Sequence, residues 1–346
     1  MGATVQKHLS SVDLARGYAS LVVCLFHLSA GGTLFEGTPL GHLRSYFAAG
    51  GADGIRLFFI ISGFVIPLAM HTGGYELRTF WTFVLKRIAR IEPPYLVSII
   101  VAVVLWLRFG FSVSGHPIRL DDATPFLHLG YLVDLATALG SPHHWYVSVY
   151  WTLAYEFQYY LTIALLFGFI SSSRRVYRVS ALGLLIGLQI PMLVGLLPTI
   201  PLFVTHASYF VFGILLYQYK VKLIGGHELT ALAIPVAALM IYEDWRFVIY
   251  TPIVALLFLR WEISTPVTNF MGRISYSLYL YHDSVGSWLR GALIVVLGFS
   301  PPAAVLTATA GSILIAWLFF HAVERWSLAL SRRLAYRTLP CRAATL

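Results

Sequence analysis

The chain has 346 residues, 58% of them hydrophobic, 15% aromatic and only 11% charged, with a mean hydropathy of +0.76. Soluble domains carry about a quarter of their residues as charges, so this composition excludes a chain whose main solvent is water. The net charge of +9 would suit a nucleic acid only if the basic residues shared an exposed face, and here they fall in short segments between apolar runs.

Those runs are long enough to cross a hydrocarbon layer of about 30 Å as helices. They predict an all-α, polytopic membrane helix bundle of about ten spans, over residues 12–30, 54–70, 94–111, 146–170, 181–197, 202–219, 229–242, 247–260, 274–298 and 303–322. The seventh and eighth are short, and Glu243, Asp244 and Arg246 between them hold that hairpin to one surface. An apolar piece near 125–139, interrupted by Asp134, reads as an interfacial or re-entrant segment. Lys7 precedes an apolar run that ends in Ser29 and Ala30, which imitates a signal peptide, but Arg16 inside the run and the spans that follow argue against cleavage.

Basic residues orient the bundle. One set of alternate loops holds Lys7; Arg78, Lys86, Arg87 and Arg90; Arg174, Arg175 and Arg178; Lys220 and Lys222; Arg260 and Arg273; and the arginines from Arg325 onward, while the opposite loops hold Arg44, Arg119 and Arg246. By the positive-inside rule both termini are expected in the cytoplasm. Cys24 and Cys341 then lie apart, so neither a disulfide nor a thiolate-bound metal is expected. With no linker, low-complexity tract or clear repeat, residues 1–346 read as one membrane domain without a soluble domain attached.

Ionisable groups inside spans cost roughly 2.5–3.5 kcal/mol each on insertion scales, so each asks for a reason. The first span carries Asp13, Arg16 and His27. Asp13 and Arg16 have the i, i+3 spacing of an interfacial ion pair. Arg16 and His27 are eleven residues apart, which places them on nearly one face and roughly 16 Å apart along the axis. An imidazole so placed either bonds a neighbouring helix or serves as a general base near neutrality. Further along, Glu156 lies within the fourth span and His282 and Asp283 within the ninth, where they either lock helices together or take part in chemistry.

The segment SVDLARGYASLVVCLFHLSA resembles the first helix of the membrane-bound acyltransferase-3 family, with its Asp, its Arg-Gly and a His eleven positions after the Arg. Four more segments agree in order: GIRLFFIISGFVI from Gly54, FVLKRIARIEPPY ending at Tyr95, WTLAYEFQYY from Trp151, and RISYSLYLYHDSV from Arg273, with Glu324 matching a terminal glutamate motif. Arg56 stands where many relatives carry an acid, and Thr152 replaces the usual Ser while keeping a hydroxyl.

The resemblance implies a multi-pass protein of a bacterial-type inner membrane, which transfers an acyl group, by default acetyl, from cytoplasmic acyl-coenzyme A to a hydroxyl of a polysaccharide, its lipid-linked precursor or a related acceptor. Acyl-coenzyme A is then a co-substrate and no cofactor is permanently bound. Lys86, Arg87 and Arg90 are expected to hold its phosphates, and Arg16 to guide the pantetheine arm. His27 is the expected general base and Glu156 its orienting partner. His282 is a second base or oxyanion donor, and Asp283 and Arg56 are placed toward the acceptor. At the outer mouth, His143, His144, Trp145, Tyr146 and Trp151 offer faces on which a sugar can stack, although interfaces are rich in Trp and Tyr anyway. The two histidines lack further ligands, so no metal is expected. A transporter or acyl-group exporter is the rival reading, and it calls for inverted repeats that the sequence does not display.

Overall fold

The computed structural model describes residues 10–109, 147–197 and 202–336. The expected segment near 125–139 and the aromatic cluster His143, His144, Trp145 and Tyr146 lie outside those residues, as does Cys341. Among the described residues every regular element is helical. In chain order the main helices are α1 (Ser10–Leu28), α2 (Arg44–Gly73), α3 (Phe80–Phe109), α4 (Trp151–Ile170), α5 (Arg175–Leu193), α6 (Ala207–Lys220), α7 (Gly226–Glu243), α8 (Phe247–Leu259), α9 (Pro266–Tyr281), α10 (Ser287–Val295), α11 (Pro301–Phe319) and α12 (Arg325–Arg333). Two π-helical turns, His282–Gly286 and Phe320–Glu324, join α9 to α10 and α11 to α12.

Six helical stretches among the described residues are long and apolar enough to cross a membrane: Ser10–Leu28, Gly41–Gly73, Leu77–Phe109, Trp151–Ile170, Arg175–Leu193 and Pro301–Arg333. The four other expected spans correspond to helices that are shorter, less apolar or interrupted, namely α6, α7, α8 and the α9–α10 pair. The chain is therefore a polytopic membrane helix bundle, its lipid-facing surface supplied by exposed side chains such as Leu107, Leu196 and Val295.

In hydrocarbon the hydrophobic effect does not drive helices together, so close backbone approach at small residues matters more. Helices α2 and α6 cross at Gly63 and Gly213. A Cβ on Gly63 would lie 2.2 Å from the carbonyl oxygen of Phe210, and one on Gly213 equally close to that of Ile60. Helices α1 and α9 meet at Gly17 and Gly272, where a Cβ on Gly272 would come within 2.4 Å of Asp13 Cβ. Asp13 thus packs against α9 and lies close enough to Arg16 for the two charges to attract. The α2–α6 crossing is sealed by buried aromatic rings, among them Phe64, Tyr209, Phe210 and Tyr217.

One expectation is overturned in α3. The sequence reading starts the third span at residue 94 and so leaves Lys86, Arg87 and Arg90 in the cytoplasmic loop before it. Instead the helix begins at Phe80 and runs through Pro93 and Pro94, so the basic residues lie on its first turns and Arg87 is only 7% exposed. A proline in a helix leaves the carbonyl four residues earlier without its N–H partner. Here the freed carbonyls of Ala89 and Arg90 both accept from the hydroxyl of Ser327 on α12, at 2.8 and 2.5 Å, and the next carbonyl, Ile91, accepts from Tyr276 of α9 at 3.0 Å. Donors from neighbouring helices thus make an uninterrupted helix tolerable at that depth.

Candidate functional site

A cleft with an empty volume of about 870 Å³, its mouth included, opens between α1, α2, α3, α4 and α9. Arg16, Arg87 and Arg90 line it together with Glu156, Ser62, Tyr160, Tyr276, Thr152 and Tyr279. The cleft therefore gathers Arg16, Arg87, Arg90 and Glu156 from three helices, whereas Lys86 turns away and donates to the carbonyl oxygen of Leu334 at 2.6 Å. Among the described residues no carboxylate comes within ion-pair distance of Arg16, Arg87 or Arg90. The Arg87 guanidinium instead lies over the rings of Phe83 and Tyr160, at 4.9 and 5.3 Å, with its Nε unbonded. Three guanidiniums against one lining carboxylate, Glu156, none of them in a direct ion pair, leave the cleft positive and suited to an anion.

Glu156 does not orient His27. Its Oε1 accepts from the hydroxyls of Ser62 and Tyr160, at 2.6 Å each, and these bonds hold the carboxylate inside the cleft. Tyr160 is one turn away on the same helix, a spacing that makes the contact local.

The carboxylate that faces His27 is Asp283, with Nδ1 and Oδ1 3.9 Å apart. The π-turn that carries Asp283 also carries His282, whose ring centre is 5.2 Å from that of His27. His282 is fully buried, and its Nδ1 faces the carbonyl oxygens of Leu278 and Tyr279 at 3.1 and 2.8 Å. Carbonyls only accept, so Nδ1 carries the proton and Nε2 presents a lone pair, buried and without a hydrogen-bond partner. A single π-turn, a feature frequent at functional sites, thus delivers both a carboxylate and an acceptor nitrogen to His27.

Arg290 completes this group, and the sequence reading gave it no role. Its Nη1 donates to the terminal carbonyls of α1, those of His27 and Leu28, at 3.1 and 3.0 Å. The signal was available, since an arginine within an apolar stretch asks for a partner.

The cleft and the histidine pair adjoin across one side chain. Tyr279 lines the cleft, and its ring lies 5.8 Å from that of Phe58 on one side and 5.7 Å from that of His282 on the other. Its hydroxyl donates to the carbonyl of Val149 at 2.6 Å and also meets the Thr152 hydroxyl. Thr152, the departure from the family pattern, therefore fixes this tyrosine. His27 is not among the residues that line the cleft; its side chain is 24% exposed.

The remaining expected residues lie elsewhere. Arg56 bonds Asp244 at 2.6 Å and rests against Tyr209 and Phe247, so its charge is spent on the α7–α8 turn. Trp151, at the start of α4, packs edge-on against Tyr155. A wider groove, with an empty volume of about 2060 Å³, runs beside that turn and is lined by Tyr18, Val22 and Leu25 of α1. At 100° per residue those three occupy the side of α1 opposite Arg16 and His27.

Comparison with known proteins gives the family. A curated relative, the Peptidoglycan O-acetyltransferase OatA of Listeria monocytogenes serovar 1/2a, is 26% identical over 172 residues, which is 45% of this chain and 24% of the relative. The chain therefore spans about a quarter of that protein's length. No solved structure matches. The model of a family described as an acyltransferase domain matches residues 9–321, a stretch that holds every cleft and histidine-pair residue named above, and the chain belongs to this acyltransferase-3 family.

Proposed function

We propose that this protein is a membrane O-acyltransferase that moves a short acyl group, acetyl by default, from cytoplasmic acyl-coenzyme A to a hydroxyl of a cell-surface or exported polysaccharide or its lipid-linked precursor. The observation that carries the reading is the run of groups from the guanidiniums of Arg16, Arg87 and Arg90, none in a direct ion pair, past Tyr279, to the pair His282 and His27. Coenzyme A brings phosphates, which planar guanidiniums bind in bidentate fashion. It is consumed as a co-substrate, and its arm lies along the cleft with the thioester toward Tyr279.

His27 takes the proton of the acceptor hydroxyl as that oxygen attacks the thioester carbonyl. The tetrahedral adduct collapses with cleavage of the C–S bond, and the proton held on His27 passes to the departing thiolate. Asp283 and Arg290 hold the imidazole from its ring and from its backbone, and Nε2 of His282 offers a further acceptor for the proton. The ring of Tyr279 stands between the cleft and the histidine pair, so the acyl carbonyl has to pass beside it to reach His27. The peptidoglycan named in the relative's title makes a glycan the first acceptor to test.

The test supplies labelled acetyl-coenzyme A to inverted membrane vesicles that contain the protein and follows label into polysaccharide. Replacing His27 by Ala is expected to lower transfer by about 10²- to 10⁴-fold, the usual contribution of a general base, with protein level unchanged. Transfer at the wild-type rate in His27→Ala removes the assigned base, and label entering no glycan from any acyl-coenzyme A removes the donor.

A further inference from the structure

Helix α12 lies beyond residue 321, where the family match ends. It nevertheless touches the donor cleft through backbone. Ser327 and Ser331 are one turn apart and buried, and both point at α3. Ser327 Oγ shares its one proton between the two carbonyls freed by Pro93 and Pro94, those of Ala89 and Arg90, and Ser331 Oγ donates to the carbonyl of Lys86 at 2.8 Å. Lys86 returns the contact through Nζ to the carbonyl of Leu334. Each of these bonds falls beside a residue that lines the cleft, since Arg87 follows Lys86 and the Arg90 carbonyl belongs to a lining residue itself.

The prolines and the serine form one device. Two prolines in succession loosen α3 at the turn that carries Arg90, because two consecutive rungs of the helical ladder are missing. Without an outside donor that turn has several orientations open to it and leaves two polar groups unmet away from water. The single hydroxyl of Ser327, reaching both carbonyls, selects one orientation. That orientation sets where the guanidiniums of Arg87 and Arg90 enter the cleft. Glu324, at the end of the π-turn that leads into α12, bonds the backbone N–H and hydroxyl of Ser277 at 3.2 and 2.6 Å and so fixes α12 to α9 as well.

We infer that Ser327, assisted by Ser331, is a positioning residue of the donor site: it docks the C-terminal helix on the proline-opened turn of α3 and thereby aims Arg87 and Arg90 at an anionic acyl donor. The inference rests on the reading of the cleft as the coenzyme A site. It adds to that site a segment outside the family match, and it gives the double proline a function in ligand binding.

The test measures binding of coenzyme A to the purified full-length protein in detergent by titration calorimetry, with the thermal midpoint recorded for each variant. Ser327→Ala is expected to raise Kd about five- to twenty-fold, the effect of losing one to two hydrogen bonds that orient a charged group. Ser327→Thr, which keeps the hydroxyl, is expected to stay within about twofold of the wild type. In a Pro93→Ala/Pro94→Ala background the restored N–H groups rebind the two carbonyls, so Ser327→Ala added there is expected to change Kd less than about twofold. Should Ser327→Ala not accumulate as folded protein, Ser331→Ala reads the same device through the Lys86 carbonyl, at about two- to fivefold.

Three results overturn the inference, and they are distinguishable. If the wild type binds coenzyme A and the folded serine variants bind it equally well, α12 serves packing alone. If the wild type does not bind coenzyme A, the donor reading falls and the inference falls with it. An equal loss from Ser327→Ala with and without the prolines also overturns it, because the serine then acts independently of the carbonyls it meets.

Discussion

Two groups of charges sit in this bundle, and they differ in what satisfies them. Around the α7–α8 turn, Asp244 takes the guanidiniums of both Arg56 and Arg246, Arg246 reaches Asp53 at 3.1 Å, and Tyr250 donates to the same Asp53 at 3.3 Å. Beside it Glu243 accepts from Gln189 at 2.6 Å and faces His206 at 3.5 Å. Every charge in that network answers to another protein group. In the cleft, Arg16, Arg87 and Arg90 face empty volume and aromatic rings, and the Glu156 carboxylate is held by hydroxyls. Removing water from a charge is costly, so a chain that gathers three guanidiniums around one carboxylate, with no direct ion pair among them, keeps the excess for something that arrives with negative charge.

The comparison breaks if the two groups respond alike to substitution. The largest effect is expected in the cleft: Arg90→Ala or Arg16→Ala should lower transfer at limiting donor by about 10- to 100-fold, the loss of one charge-assisted contact of about 1.5–3 kcal/mol. The thermal midpoint should change little, because both guanidiniums are half-buried and neither makes a direct ion pair. Donor KM and melting temperature, measured on the same preparations, decide the matter. A cleft variant that melts lower with unchanged KM would make these arginines structural.

The converse is expected of the network. Arg56→Ala leaves Asp244 with one cation instead of two and should destabilise the bundle by roughly 1–3 kcal/mol, since the pair is only partly buried and Arg246 remains. Donor KM should not change, because Arg56 lies outside the cleft lining. Thermal unfolding in detergent together with donor titration tests this, and a donor-specific defect without loss of stability would return Arg56 to the substrate site.

Much of this was legible in the sequence, for physical reasons that can be named residue by residue. Apolar length marks a span without any tertiary information, so helices such as Trp151–Ile170 and Arg175–Leu193 fall close to where they were expected. Arg16 and His27 share a face by periodicity alone. What escaped was whatever depends on a second helix. The third span was expected from residue 94, whereas α3 begins at Phe80 and runs through Pro93 and Pro94, because Ser327 and Tyr276 supply donors that the sequence does not show. Glu156 seemed the natural partner of His27, yet its own neighbours Tyr160 and Ser62 claim it. Asp283 reaches His27 because a π-turn follows Tyr281, and no periodicity rule announces such a turn. The apolar pattern carries the scaffold, whereas pairing of polar groups is decided between helices.

The smallest expected effect tests whether the outer network works by charge. Asp244 lies in the turn between α7 and α8, and the hydrogen bonds from the Arg246 side chain hold its carboxyl below the usual carboxylate value of 3.8, against the opposing effect of burial. A folded-state pKa below the unfolded one means that the unfolded chain takes up the proton first as pH falls. The stabilisation is therefore complete above about pH 4–5, where Asp244 is ionised in both states. It declines as the pH drops below 3.8 and on through the lower folded value. Its size should be about 1 kcal/mol or less, because Arg246 is a quarter exposed and solvent screens the pair. Thermal midpoints of wild type and Asp244→Asn, compared between pH 7 and pH 3, should differ most at neutral pH and converge on acidification. A gap that stays constant across that range would mean that Asp244 acts through shape and hydrogen bonding, with its charge contributing nothing.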